Sequence, residues 1–278
     1  MGKFDGVLLA SDFDNTLLYT EEALQTGAAV PPLPERNRQA LTYFMAEGGR
    51  FAIATGRALA AFLAYADSVP MNAPGVVCNG AAIYDFAAGE YLETALLDER
   101  ALERGQTVLD RFPTAAVEVY HLDSVIHGVH PNEITHLHEE LTKVPVLEMP
   151  SLPEVPPPLG KLLFEDRHET LLEIRDFMRA QGWGEDYELI FSAGHLMEMT
   201  AKGANKGGMV RRLAKRLGVR HVFCAGDEAN DIPMLTLAEE GFAPENCIPE
   251  VRACGATIVR HAREGAIGDV VELLDKRF

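Results

Sequence analysis

The chain has 278 residues, 47% hydrophobic and 24% charged, an ordinary globular composition that excludes collagen-like, coiled-coil and disordered classes. Lys+Arg 25 against Asp+Glu 42 leaves a formal charge of −17, which argues against nucleic-acid and anionic-membrane partners, whose affinity comes largely from Lys and Arg neutralising phosphates. At about 100–200 residues per domain, the length suits two domains.

The opening stretch, MGKFDGVLLASDFDNTLL, has its apolar run broken by Asp12 and Asp14, so it does not read as a signal peptide. No segment reaches the ~18 uninterrupted apolar residues of a membrane span. Cys78, Cys224, Cys247 and Cys254 form no CxxC pair and suit reduced thiols, which predicts a cytoplasmic protein. Neither a membrane partner nor an obligate protein partner is implied.

GVLLAS reads as a buried parallel strand ending at acidic residues. Helix start and stop signals bracket 34–48, from Pro34 to Gly48-Gly49. FAIAT (51–55), an Ala-rich helix over 58–66 and GVVC (75–78) continue the strand–helix alternation. After Asn79-Gly80 the pattern changes to a hairpin of AAIYD and EYLETALL. Next come helix 98–111, a pair of strands around His121-Leu122-Asp123-Ser124, helix 132–141, the connector MPSLPEVPPP, strand KLLFED, helix 168–181 and strand YELIF. Alternation returns with helix 205–217, strand HVFCAG, helix 229–238, a short strand near 256–259 and helix 264–276. The expected fold is therefore α/β: a Rossmann-like, doubly wound parallel-sheet core over 1–85 and 191–278, with an inserted α+β cap over 86–190. No internal repeat is visible.

Four segments, DFDNT (12–16), ATGR (54–57), NKGG (205–208) and GDEAND (226–231), follow predicted strands or open helices, where residues of an open α/β sheet converge on one crevice. Each supplies a group that phosphoryl transfer needs. Asp12 can attack phosphorus as a carboxylate nucleophile, forming an aspartyl-phosphate. Asp14 can protonate the leaving oxygen and then deprotonate water, while its backbone carbonyl can face a metal. Carboxylates crowded this closely, with a dianionic substrate, require a divalent cation, and oxygen-only ligands favour Mg²⁺. Asp227 and Asp231 supply the remaining carboxylates. Thr55 with its hydroxyl, the N–H groups of Gly56 and Arg57 after it, and Lys206 at a helix start can hold phosphoryl oxygens.

In this order, DFDNTL, the strand ending in Thr55, Lys206 in NKGG, and GDEANDIPML resemble the four motifs of haloacid dehalogenase superfamily phosphatases. The long insertion, Asn79-Gly80 before it, and ENC at 245–247 resemble the Cof-type branch, subfamily IIB. The resemblance implies Asp12 as nucleophile, Asp14 as general acid/base, Thr55 as phosphate ligand and Lys206 as the lysine steadying nucleophile and phosphate. It implies Asp12, Asp14, Asp227 and Asp231 around Mg²⁺, with Asp231 binding directly or through water, and Asn230 facing the phosphate. The family's usual Gly is Asn15 here, the non-Gly residue most tolerant of left-handed backbone.

Plainer readings stand beside these. Asp227 could cap the helix at 229, Lys202 competes with Lys206, and Arg57 could be a substrate contact or simply exposed. His121, His127, His130, His136 and His138 invite a metal story, but His136 and His138 lie two apart, on different sides of a helix. One or two of these histidines could line a substrate pocket. Leu171, Ile174 and Met178 read as a core stripe. The expected activity is a Mg²⁺-dependent phosphatase acting on a small phosphorylated metabolite, a sugar phosphate foremost. The alternatives are a phosphomannomutase-like phosphotransferase and a non-catalytic aspartate phosphoacceptor.

Overall fold

The computed structural model describes residues 2–26, 28–122, 125–142 and 144–278. The first strands, β1 (Val7–Ser11), β2 (Arg50–Ile53) and β3 (Gly75–Val77), alternate with α1 (Glu21–Thr26), α2 (Glu35–Ala46) and α3 (Leu59–Ala66). Then follow β4 (Ala82–Asp85), β5 (Glu90–Thr94), α4 (Arg100–Arg111), β6 (Ala116–Tyr120), β7 (Ile126–Val129), α5 (Glu133–Thr142) and β8 (Val146–Glu148). The expected turn through Asp123 and Ser124 between β6 and β7 lies outside the described residues. Next are β9 (Lys161–Glu165), α6 (His168–Ala180), β10 (Tyr187–Ala193) and β11 (Leu196–Ala201). The last part holds α7 (Lys206–Leu217), β12 (His221–Ala225), α8 (Ile232–Leu237), β13 (Glu240–Pro244), α9 (Pro249–Ala253), β14 (Thr257–Val259) and α10 (Ala266–Arg277).

One sheet is wholly parallel in the order β14-β13-β12-β1-β2, and an Ala54–Val76 bridge carries it on to β3. Side chains alternate across it. Val7 and Leu9 of β1 pack with Leu41 and Phe44 of α2 and Ile267 and Leu274 of α10, whereas Leu8 and Ala10 pack with Met209 and Leu213 of α7 and Met234 of α8. Burial on both faces is why these strands are continuous apolar runs, and it makes the core doubly wound as expected. From β1 the chain moves outward to β2 and β3, then returns on the other side of β1 as β12, β13 and β14. The order reverses between β1 and β12, so the segments leaving them part and open a crevice.

A second sheet runs β10-β11-β9-β6-β7-β8, antiparallel except between β7 and β8. Its outer face, with Val117, Val119, Leu162 and Phe164, is covered by α4 and α6, where Leu171, Ile174 and Met178 form the expected stripe. Its inner face is mixed. Tyr120, Ile126 and Leu163 pack against Val77, Cys78, Ala81 and Ala82, and Lys161 Nζ donates to Gly56 O at 3.3 Å.

Several elements depart from expectation. β11 pairs with both β10 and β9, so the second sheet continues past 190 to Ala201, whereas β4 and β5 form the expected hairpin. The sequence of β11, LMEMTA, pairs weak strand formers with tertiary burial, which conceals it. β13 was missed because Gly241 and Pro244 read as breakers; Pro244 stands at the strand's end, where its missing N–H is tolerated. The helix expected at 229 begins at Ile232, after a single 3₁₀ turn over Ala229–Asp231.

Close packing at α7 yields a sign-inverting test. An exposed helical Gly→Ala gains roughly 0.5–1 kcal/mol, but a Cβ on Gly207 would lie 2.3 Å from the backbone oxygen of Pro233. Gly207→Ala should instead lose about 1–3 kcal/mol of stability, read by denaturant unfolding. Unchanged or raised stability would mean that α7 and α8 are not packed this tightly.

Candidate active site

Asp12 lies one residue beyond β1, and its N–H donates to Ala225 O at 2.9 Å, so it stands level with the end of β12 at the reversal point. Lys206 is the first residue of α7, whose start is capped by Asn205 Oδ1 accepting from Gly208 N at 2.8 Å. That cap aims the lysine stem into the crevice. Lys206 Nζ donates to Asp12 Oδ1 at 2.7 Å and to Asp231 Oδ1 at 2.6 Å. Asp231 Oδ2 accepts from the N–H groups of Asp227 and Glu228 at 2.9 and 3.0 Å, which fixes the turn carrying both acids. Asp227 is no helix cap; its Oδ1 accepts from Thr16 Oγ1 at 2.6 Å. Lys202 is exposed and donates to Gly184 O, so Lys206 alone of the two candidates enters the crevice.

Asp12, Asp227 and Asp231 are all buried, and one carboxylate oxygen from each lies within 4.8 Å of the others. Burial raises the Asp12 carboxyl from 3.8 to about 7; Lys206 pulls it down, and Asp231 and Asp14 push it up. Asp227 is also raised, by burial and then by Asp12 and Asp231. For Lys206, burial acts against the charge, but Asp12 and Asp231 outweigh it and hold the ammonium above its ordinary range. Three carboxylates beside one ammonium leave a negative surplus that a divalent cation would offset, and an oxygen-only donor set suits it. The residues present therefore fit a divalent metal.

Asp14 stands apart from that cluster. Arg57 grips it with two hydrogen bonds of 2.8 Å, Nε to Oδ2 and Nη2 to Oδ1, and Thr20 Oγ1 donates to it at 2.7 Å. The guanidinium lies over the rings of Phe13 and Tyr65 at 5.2 and 4.9 Å. Burial opposes its charge, but Asp14 keeps Arg57 above its ordinary range. Arg57 is thus neither a free surface group nor aimed away from the crevice: it sits on Asp14. Asn15 adopts φ 54°, and its Oδ1 accepts from Thr20 N and Glu21 N. Asparagine here keeps the left-handed turn and also anchors the start of α1, a bond glycine could not make.

Thr55 is buried at the end of the β2 strand line, and its Oγ1 accepts from Arg57 N at 3.1 Å. Asn230 Nδ2 donates to Asn79 Oδ1 at 3.0 Å. Asn79 is a site residue that the sequence reading left unassigned. Cys78 and Asn79 are consecutive left-handed residues, φ 52° and 53°, and their N–H groups donate to Arg57 O and Thr55 O at 2.9 and 3.0 Å. They shape the loop of Thr55, Gly56 and Arg57 from beneath. Gly56 has little room: a Cβ there would lie 3.1 Å from Asn79 Nδ2. The signal available was Asn-Gly itself, the pair that tolerates positive φ. Among the histidines, His121 Nε2 meets His127 Nδ1 at 2.7 Å and His121 Nδ1 meets Pro158 O at 2.7 Å, while His130 is exposed.

Fold and crevice together define an α/β enzyme whose acidic site, at the switch point of a parallel sheet, can hold a divalent cation. The sequence model of the haloacid dehalogenase-like hydrolases matches residues 9–271, and the chain belongs to that family. YxeH of Bacillus subtilis (strain 168), provisionally named a phosphatase, is 27% identical over 96% of this chain and 97% of its own length. Among solved structures, the subclass IIB sugar phosphatase BT4131 superposes with a TM-score of 0.80 at 19% identity, covering 96% of this chain and 98% of that one. BT1666 from Bacteroides thetaiotaomicron, a phosphatase of the same superfamily, gives 0.81 at 19% identity, covering 98% and 96%. The chain is a phosphatase of this family, as its four motifs implied. No helix among the described residues is long and apolar enough to cross a membrane.

The Asp12 shift fixes a pH dependence for metal-free protein. Between 3.8 and about 7 the folded state holds a proton on Asp12 that the unfolded chain has lost, so this group's contribution makes stability fall as pH rises through that window. Relative to Asp12→Asn, chelator-treated wild-type protein should lose thermal stability across it. Parallel pH curves for the two proteins would contradict the assignment.

Proposed function

We propose that this phosphatase is Mg²⁺-dependent, forms an aspartyl-phosphate on Asp12, and acts in a reducing cytoplasm on small phosphorylated metabolites, sugar phosphates foremost. The observation that carries this reading is the convergence of Asp12, Lys206, Asp227 and Asp231 in one buried cluster. In the proposed division, a catalytic core, expected over 1–85 and 191–278, surrounds an inserted cap; because β10 and β11 belong to the cap's sheet, the second boundary falls after Ala201. Asp12, Asp227 and Asp231 would hold Mg²⁺ with the backbone carbonyl of Asp14, and the bound ion would offset charge on carboxylates and phosphoryl oxygens.

Asp12 attacks phosphorus while Lys206, locked to its Oδ1, keeps the other oxygen turned to the substrate and offsets developing charge. Asp14 protonates the leaving oxygen, then takes a proton from the attacking water. Arg57, which grips both Asp14 oxygens in the substrate-free site, would release one for Asp14 to carry its proton, and the Gly56 N–H and the Thr55 hydroxyl, itself positioned by Arg57 N, would meet phosphoryl oxygens. Asn230, braced by Asn79, presents its carboxamide to the phosphate. The four free thiols suit a reducing compartment.

A sugar-phosphate preference draws support from the inner face of the second sheet. Lys161 and Glu198, each nine-tenths or more buried, pair at 3.0 Å beside Gly56 O. Such a donor–acceptor pair suits hydroxyl groups, which an apolar leaving group does not offer. BT4131, the structural neighbour, is itself called a sugar phosphatase.

Chelation should abolish phosphate release in a screen over sugar phosphates, nucleotides and an aryl phosphate, and Mg²⁺ should restore it. Restored turnover with no added cation would overturn the metal role. Asp12→Asn should retain less than about a thousandth of wild-type turnover, since removal of a catalytic nucleophile alone can cost on the order of 10⁶. Turnover within tenfold of wild type would rule out covalent catalysis there. Glu198→Gln should raise KM for sugar phosphates while sparing the aryl phosphate, and equal changes for both would detach the cap pair from substrate choice.

A further inference from the structure

The inner face of the second sheet carries another set of ligating side chains, sharing no residue with the crevice. Glu118 of β6, Glu165 of β9 and His138 of α5 each place one ligating atom within 4.8 Å of the others. Pairing of β6 with β9 sets Glu118 opposite Leu163 and Ala116 opposite Glu165, so the two glutamates are diagonal neighbours on one face. His138 Nδ1 approaches from the helix above, 3.0 Å from Glu118 Oε2 and 3.4 Å from Glu165 Oε1.

Both carboxylates are completely buried, and their donors are unevenly placed. Tyr120 Oη donates to Glu118 Oε2 at 2.7 Å, and Thr135 Oγ1 donates to Glu165 Oε2 at 2.5 Å. Glu118 Oε1 and Glu165 Oε1 accept no hydrogen bond from any described residue. Lys161, on the same face, is matched by Glu198 at 3.0 Å. Two buried carboxylates facing a single imidazole therefore keep a negative surplus, with one oxygen of each lacking a donor, and such burial is costly unless a cation answers it.

We propose that Glu118, His138 and Glu165 bind a borderline transition-metal dication of the Zn²⁺ type, which clamps α5 to the second sheet. One imidazole nitrogen with two carboxylates suits Zn²⁺ better than Mg²⁺ or Ca²⁺, which take oxygen ligands. The Tyr120 and Thr135 hydroxyls orient the ligating carboxylates from behind. The ion would add to the Thr135–Glu165 contact in holding α5, whose Leu137 is half exposed. Thr142 and the following Val144 and Leu147 form one wall of a groove of about 590 Å³, whose other wall holds Arg57, Ala61 and Tyr65. The ion fixes that wall relative to Arg57.

The test strips the protein with a chelator, dialyses it against Zn²⁺ with Mg²⁺ in excess, and counts retained zinc by elemental analysis. Asp227→Asn serves as background, so that the crevice competes poorly. That protein should retain about one Zn²⁺ per chain. His138→Gln or Glu118→Gln added to it should abolish retention, with circular dichroism unchanged. Tyr120→Phe should weaken binding about 10–100-fold without abolishing it. Co²⁺ in place of Zn²⁺ should give visible ligand-field absorption that His138→Gln removes. If the Asp227→Asn protein retains no zinc, the cluster is a buried ion triad only and the site is refuted, whether or not the other variants fold. Equal retention by the His138→Gln protein refutes it as well.

Discussion

The ammonium of Lys206, held between Asp12 and Asp231, is the contact around which the rest of the molecule is arranged. It joins three chain segments distant in sequence: the exit of β1, the start of α7 and the turn after β12. Burying a lysine and three carboxylates is tolerable only when each charge is answered, and removing one partner strands the rest. The parallel sheet answers this by bringing β1 and β12 side by side at its reversal point, with Asp12 N bound to Ala225 O. One positive charge against three negative ones remains unbalanced, and that deficit makes the crevice suited to a cation.

Around this pair the backbone is shaped by residues that contribute no charge. Asn15, Cys78 and Asn79 hold left-handed conformations, and each converts that shape into hydrogen bonds: Asn15 to the start of α1, Cys78 and Asn79 to the loop of Thr55 and Arg57. Left-handed backbone in non-glycine residues persists only where surroundings over-determine it. Arg57 links that loop to Asp14, so the position of one acidic group depends on a turn at Cys78 and Asn79, far from it in sequence. The second sheet closes over the same loop through Lys161 and Gly56. Its inner face buries Glu118, Lys161, Glu165 and Glu198 among apolar side chains.

Sequence and structure divide along a physical line. The doubly wound core was legible because strands buried on both faces are continuous apolar runs, and because helix boundaries at Pro34, Gly48 and Gly218 are written in single residues. The residues of the crevice were legible because each motif sits at a strand end or helix start, where sequence position alone decides which way the chain points. β11 and β13 were not, since LMEMTA and EGFAP become strands only through pairing with distant partners. Only the tertiary structure seated Arg57 on Asp14, brought Asn79 beneath Thr55, and gathered Glu118, His138 and Glu165 from three elements. Those contacts join residues 20 to more than 40 positions apart across sheet and helix faces, and no local period or short motif encodes a distance of that kind.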